Sequence, residues 1–177
     1  MKIYTRLGDD GTTSLVDSRV NKSDTRIEAV GALDHLNAQI GFLIDYSNQY
    51  YSIDLIFIQN ILFTFGAQIA GVDNINPISY FDVANLEESI DEMTKKLPKL
   101  TNFILPSGHP LISQVHIVRT ICRATERTCS MIEDCHRPIN LIPYLNRLSD
   151  YLFTIARLLH QELDVPEIIW NPAHTHQ

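Results

Sequence analysis

Along most of this chain apolar residues return every three or four positions, and the stretches where they do not are short. Residues 3–24, IYTRLGDDGTTSLVDSRVNKSD, have no helical period and are rich in Gly, Thr, Ser and Asp, so they predict a loop with a short extended piece at Ile3–Arg6. Val30, Leu33, Ile40 and Leu43 or Ile44 then mark one face of a helix that starts near Ser23–Thr25 and runs to about Tyr46, with Ser23 or Asp24 as its cap. Leu55, Ile58, Leu62, Phe65 and Ile69 predict a second helix over Ser52–Gly71, and the Asn76-Pro77 pair places a loop over Val72–Phe81. A third helix is expected over Val83–Leu97, with Glu87, Glu88 and Asp91 early and Lys95 and Lys96 late, the order the helix dipole favours; Pro98 stops it. An apolar turn follows at residues 101–110, TNFILPSGHP, carrying Phe103.

A fourth helix is expected from about Leu111 to before Pro138. Its central stretch, Gln114–Glu133, has Val115, Val118, Cys122, Cys129 and Ile132 on one stripe, with Thr125 among them. Arg119, Arg123, Glu126 and Arg127 fall three and four apart on another sector, so one helix carries both a core face and a concentrated cationic face. A solvated, salt-bridged surface is the bland reading of such a face. The last helix, Asn140 to about Glu162, repeats Leu141, Leu145, Leu148, Leu152, Ile155 and Leu159 in steps of four and three, with Asn146 and Asp150 on a neighbouring face. The tail, Val165–Gln177, is expected to be irregular. With no convincing strand and mostly short connections, the pattern predicts an all-α, five-helix up-and-down bundle. It forms one domain over residues 1–177: a leader at 1–24, the bundle at 25–162 and the tail at 163–177.

Composition narrows the partners. The 177 residues suffice for one compact core. The formal net charge of −7 argues against nucleic acid or an anionic membrane, and an arginine cluster in an acidic protein suits a small discrete anion better. The three cysteines, Cys122, Cys129 and Cys135, are read as reduced core thiols of a cytoplasmic protein. MKIYTR lacks the features of a secretory signal. Leu55–Val72, the most apolar segment, is interrupted by Gln59, Asn60, Thr64 and Gln68 and predicts a buried helix rather than a membrane span.

In the leader, Thr5–Ser14 reads TRLGDDGTTS. Gly8 and Gly11 allow close backbone approach, and Thr12, Thr13 and Ser14 add hydroxyl donors, so this turn is either a polar surface loop or an anion cradle. It is not a P-loop, since GxxxxGK[ST] is absent. A di-iron bundle needs two Glu-x-x-His pairs on facing helices, and only Glu133 with His136 fits. Cys129, Cys135 and His136 make no zinc pattern; His35, His109, His116 and His160 are expected to be structural, and His174 and His176 are weak metal candidates. No serine occupies a nucleophile elbow.

Five blocks now coincide in order: YTRLGDDGTTS, KSDTRIEAVGALDHLN, FILPSG, RTICRATER and YLNRLSDYLF. Together they closely resemble the PduO-type ATP:cob(I)alamin adenosyltransferases over nearly the whole chain. The resemblance implies a ferritin-like five-helix bundle that assembles as a homotrimer with sites between subunits. It implies ATP binding by Thr5, Arg6, Gly8, Thr13, Ser14, Lys22, Arg123, Glu126, Arg127 and Asn146, with Mg²⁺ carried by the ATP phosphates. It pairs Asp34 with Arg119 across the subunit interface and sets Phe103 under the corrin, where it displaces the lower axial ligand of cobalamin. Arg123, Phe103, Asp34 and Arg119 are thus the expected catalytic set, and a reductase and an adenosylcobalamin-dependent enzyme are the implied partners. Arg6 stands where a lysine is common, His35 replaces a usual glutamate and Ala124 a common arginine, while Asp10 is within the expected variation. These departures bear on affinity more than on activity. A non-catalytic ATP- or cobalamin-sensing module is the rival reading, but it gives no reason for Phe103. A purely structural bundle gives none for the conjunction of leader, Lys22, Arg123 and Asn146.

Overall fold

The computed structural model describes residues 2–47 and 52–172. His174 and His176 lie outside them. Five helices form the bundle: α1 (Thr25–Tyr46), α2 (Ser52–Ile69), α3 (Tyr80–Thr94), α4 (Pro110–Cys129) and α5 (Leu141–Glu162). Asp24 caps α1, accepting a bond from the Arg26 amide at 2.8 Å. Gly71, with φ +91°, ends α2, and the Val72 amide turns back to the Ala67 carbonyl at 3.0 Å.

Helix direction alternates. The side chains of Asn37 and Gln59 each donate to the other's backbone carbonyl, joining α1 to α2. Thr125 donates to the Ala32 carbonyl and Gln114 bonds Gln39, which sets α4 antiparallel to α1. Cys122 Sγ reaches the Leu145 carbonyl while His116 faces Phe153, so α5 runs back along α4. Asn140 bonds the Ile78 carbonyl and Arg147 pairs with Glu87, so α3 runs alongside α5 in the same direction. One end of the bundle therefore gathers the leader, the start of α1 and the ends of α2 and α4. The opposite end gathers the residue 98–108 loop, the start of α4 and the end of α5. The predicted stripes form the core, including Leu33, Ile40, Phe65, Val118, Cys122, Leu145 and Leu152. On α1 the stripe is completed by Ala29 and Leu36, with Val30 and Ile44 only half-buried. The most enclosed helix is α5 rather than α4: even its Arg157 and His160 are buried.

Four expectations are corrected. The leader contains a two-stranded antiparallel hairpin, β1 (Thr12–Ser14) with β2 (Arg19–Asn21), register Thr13 to Val20. The extended piece is not at Ile3–Arg6, because Arg6 turns the backbone left-handed at φ +62°. Helix α3 starts at Tyr80 instead of Val83, because the Ser79 amide and hydroxyl both bond Asp82 Oδ2 at 2.8 Å, and it ends at Thr94 instead of Leu97. Helix α4 stops at Cys129, well before Pro138. Arg137 folds back there to donate to the Ser130 and Ile132 carbonyls, and a 3₁₀ turn, Asp134–His136, follows. The tail is not irregular through Trp170. Ile169 bridges Ile104 in antiparallel fashion, the Leu105 amide donates to the Ile168 carbonyl at 2.7 Å, and the Trp170 amide donates to Phe103 at 2.8 Å. Among the described residues no helix is long and apolar enough to cross a membrane.

Candidate active site

The leader is a turn closed on itself. The Gly11 amide donates to the Gly8 carbonyl, and the Lys22 amide to Gly11 at 3.0 Å, which ties β2 to the glycine turn. Gly11 has φ +85°, a region that disfavours other residues. At Gly8 the constraint is space: a Cβ there would meet the Thr12 carbonyl oxygen at 3.1 Å and Lys22 Nζ at 3.3 Å. Lys22 thus lies directly over the turn. Asp10 accepts from the Thr12 amide and hydroxyl at 3.0 and 2.6 Å, and these bonds hold its carboxyl below the usual carboxylate range. Arg19 clasps the same turn, donating to the Leu7 carbonyl, to Asp10 and, at 3.5 Å, to the Ser14 hydroxyl. Thr5 Oγ accepts from the Leu7 amide, and Arg6 stacks over the Tyr4 ring. Buried Leu15 and a bond from the Val16 amide to the Ala70 carbonyl at 2.9 Å seat the hairpin on the end of α2.

Along α4 the cationic face runs from mid-helix toward the leader's end. Arg119 is half-buried, and its Nε donates to His116 Nδ1 at 3.2 Å. Burial and the neighbouring Arg123 charge lower the Arg119 pKa from its usual value. Arg123 is exposed, and Arg127 bonds the Arg123 carbonyl at 2.9 Å. Glu126 accepts from Asn146 of α5 at 3.2 Å, so two of the expected ATP residues already hold each other.

His116 is fully enclosed, and burial pushes its pKa down to about 4. Accepting from Arg119 at Nδ1 leaves its proton on Nε2, which has no partner among the described residues. It thereby holds Arg119, one of the expected catalytic residues. Its position three residues before Arg119 was the available signal.

Asp34 is exposed on α1, in the wall of an apolar groove of about 340 Å³ lined by Val30, Leu33, Leu62 and Phe63. Within one chain Arg119 is held by His116 rather than by Asp34. Phe103 lies at the opposite end of the bundle from the leader, 77% exposed, with its ring edge-on to Trp170 at 6.0 Å. The structure therefore brings Gly8 to Lys22 and Glu126 to Asn146, sets Arg123 and Arg127 at the leader's end, and leaves Phe103 and Asp34 facing outward.

Cys122 and Cys129 are core thiols as expected, and burial pushes the Cys129 pKa up to about 12. Cys135 is exposed, because α4 has ended before it. Ligand atoms of Glu133, Cys135 and His136 lie within 4.8 Å of one another at the surface, but no second Glu-x-x-His pair faces them.

A family model described as cobalamin adenosyltransferase matches residues 3–159. Cobalamin adenosyltransferase from Cupriavidus metallidurans is 38% identical over 176 residues, covering 96% of this chain and 94% of that protein. Corrinoid adenosyltransferase from Bacillus subtilis is 37% identical over 178 residues, covering 95% and 91%. Among solved structures, a variant PduO-type ATP:corrinoid adenosyltransferase from Lactobacillus reuteri, complexed with cobalamin and ATP, matches with a TM-score of 0.89 at 31% identity, covering 97% of each chain.

Proposed function

Because this chain belongs to the cobalamin adenosyltransferase family, we propose that it transfers the 5′-deoxyadenosyl group of ATP to cob(I)alamin, giving adenosylcobalamin and triphosphate. The observation that carries the assignment of residues is the layout of α4, with exposed guanidiniums at the leader's end and an exposed Phe103 beyond its start. The electron pair of the reduced cobalt forms the Co–C bond to the 5′ carbon as the C5′–O bond breaks and triphosphate leaves. Such a nucleophile needs no protein base, so the protein's task is orientation and charge stabilisation. Arg123, Arg127 and Lys22, with the turn amides around Gly8 and the hydroxyls of Thr13 and Ser14, take the triphosphate. Glu126 and Asn146, already paired, fix the nucleotide's orientation. Mg²⁺ bound with the nucleotide would offset the phosphate charge, and the leader's hydroxyls and carboxylates would supply the hard oxygen surround it prefers.

Phe103 occupies the lower face of the corrin, excluding the axial ligand and water and so easing reduction of the cobalt. Asp34 of one copy pairs with Arg119 of the next in a homotrimer. Exposed Phe42, Phe63 and Ile117, on α1, α2 and α4, supply apolar surface that such an assembly would cover. A reductase that delivers cob(I)alamin and an enzyme that uses the product are the partners, in the cytoplasm, where free thiols such as Cys122 and Cys129 persist. The test is a spectral assay of purified protein with ATP, Mg²⁺ and chemically reduced cobalamin. Conversion to adenosylcobalamin with matching release of triphosphate is expected; binding of both without conversion would leave a sensor module and refute the enzyme.

A further inference from the structure

Arg157 lies on α5, 6% exposed, and a guanidinium so enclosed has to be paired. Its Nε donates to Glu167 Oε1 at 2.7 Å and its Nη2 to the Pro98 carbonyl at 2.9 Å. These partners come from two segments far apart in sequence. Pro98 opens the loop that carries Phe103. Glu167 precedes Ile168, Ile169 and Trp170, which pair by backbone bonds with Phe103–Leu105. The strap is fixed at its root as well: the Val165 amide donates to the His160 carbonyl, and His160 Nδ1 donates to the Val165 carbonyl, both at 2.9 Å. It passes the loop so closely that a Cβ on Gly108, where φ is +122°, would meet His160 Cε1 at 2.9 Å and Val165 Cγ1 at 3.2 Å. Phe103 has little else to steady it, being largely exposed and touching the Trp170 ring edge-on.

We propose that Arg157 is a positioning residue for Phe103: by gripping Glu167 and the Pro98 carbonyl together, it locks residues 165–170 onto the 98–108 loop and sets the ring's placement. This rests on the reading of Phe103 as the group beneath the corrin. Arg157 touches neither substrate; it acts through the strap.

Trp170 is the chain's only tryptophan, so its fluorescence reports the strap directly. The test compares intact wild type, Glu167→Ala, Arg157→Met and Phe103→Ala. Glu167→Ala leaves the buried guanidinium with the Pro98 carbonyl alone, whereas Arg157→Met removes that charge, so each variant controls for misfolding of the other. Glu167→Ala is expected to keep helical circular dichroism and ATP affinity while Trp170 becomes more accessible to acrylamide. Turnover starting from cob(II)alamin, with a reduced flavin supplied as the one-electron donor, is expected to fall about tenfold, with far less loss when cob(I)alamin is supplied already reduced. The spectral signature of ligand-free cob(II)alamin is expected to weaken with it. Unchanged quenching, or freed Trp170 with unchanged turnover from cob(II)alamin, overturns the latch. Phe103→Ala separates the two ideas. If it loses activity while Glu167→Ala does not, only the latch falls; if it keeps full activity, the assignment of Phe103 falls and takes the latch's purpose with it.

Discussion

The Arg119 side chain shows how one residue's setting shapes its use. Its Nε is spent on His116, so the proposed pair with Asp34 of a neighbouring copy would have to use its terminal nitrogens. The His116 pKa is depressed to about 4, against an unfolded value of 6.5. As pH falls from about 6.5 towards 4, the unfolded chain takes up that proton and the folded chain does not, so stability is lost across that window. Denaturant titrations at a series of pH values should show this slope in wild type and a shallower one in His116→Gln. Lys22 is the other telling residue, its Nζ poised over Gly8. Lys22→Met is expected to weaken ATP binding by about 1.5–3 kcal/mol, the loss of a charged hydrogen bond, with melting temperature little changed; calorimetry measures both.

At the scale of elements, the helices were legible because burial imposes a period on their sequences. The six α5 positions spaced by four and three are all buried, and so is the predicted α4 stripe from Val115 to Ile132, while Cys135, expected in the core beyond it, is exposed. The short pieces were not legible, because contacts remote in sequence create them. The β1–β2 hairpin is three residues a side and depends on Arg19 and on docking against Ala70; the strap depends on Arg157 and on the glycine at 108. The stop of α4 at Cys129 is made by Arg137, eight residues on. The strap's tight passage carries its own prediction. Gly108→Ala, which places a Cβ against His160 at a strained backbone angle, is expected to cost about 1–3 kcal/mol of stability, measured by urea unfolding.

For the whole molecule, α4 orders the chemistry along its length: the Phe103 loop before its start, Arg119 midway, and Arg123, Glu126 and Arg127 towards the leader. With a rise of about 1.5 Å per residue, Arg119 and Arg127 are roughly 12 Å apart along the axis, room for a corrin edge at one and phosphates at the other. The proposed phosphate-binding residues stood out in the sequence as motifs, but their separation from Phe103 by the length of the bundle did not, since periodicity says nothing of which helix ends meet. Completion by a neighbouring copy is expected to show in Asp34→Asn, which should loosen trimer assembly or cobalamin affinity by about 2–5 kcal/mol. Sedimentation and cobalamin titration would detect it, and no change in either would speak against the cross-subunit pair.

The most direct measurement is the rate of adenosylcobalamin formation from ATP and chemically reduced cobalamin by folded Arg123→Ala, beside wild type. The account predicts rapid conversion by wild type and no detectable turnover by the variant; a variant rate equal to wild type would contradict it.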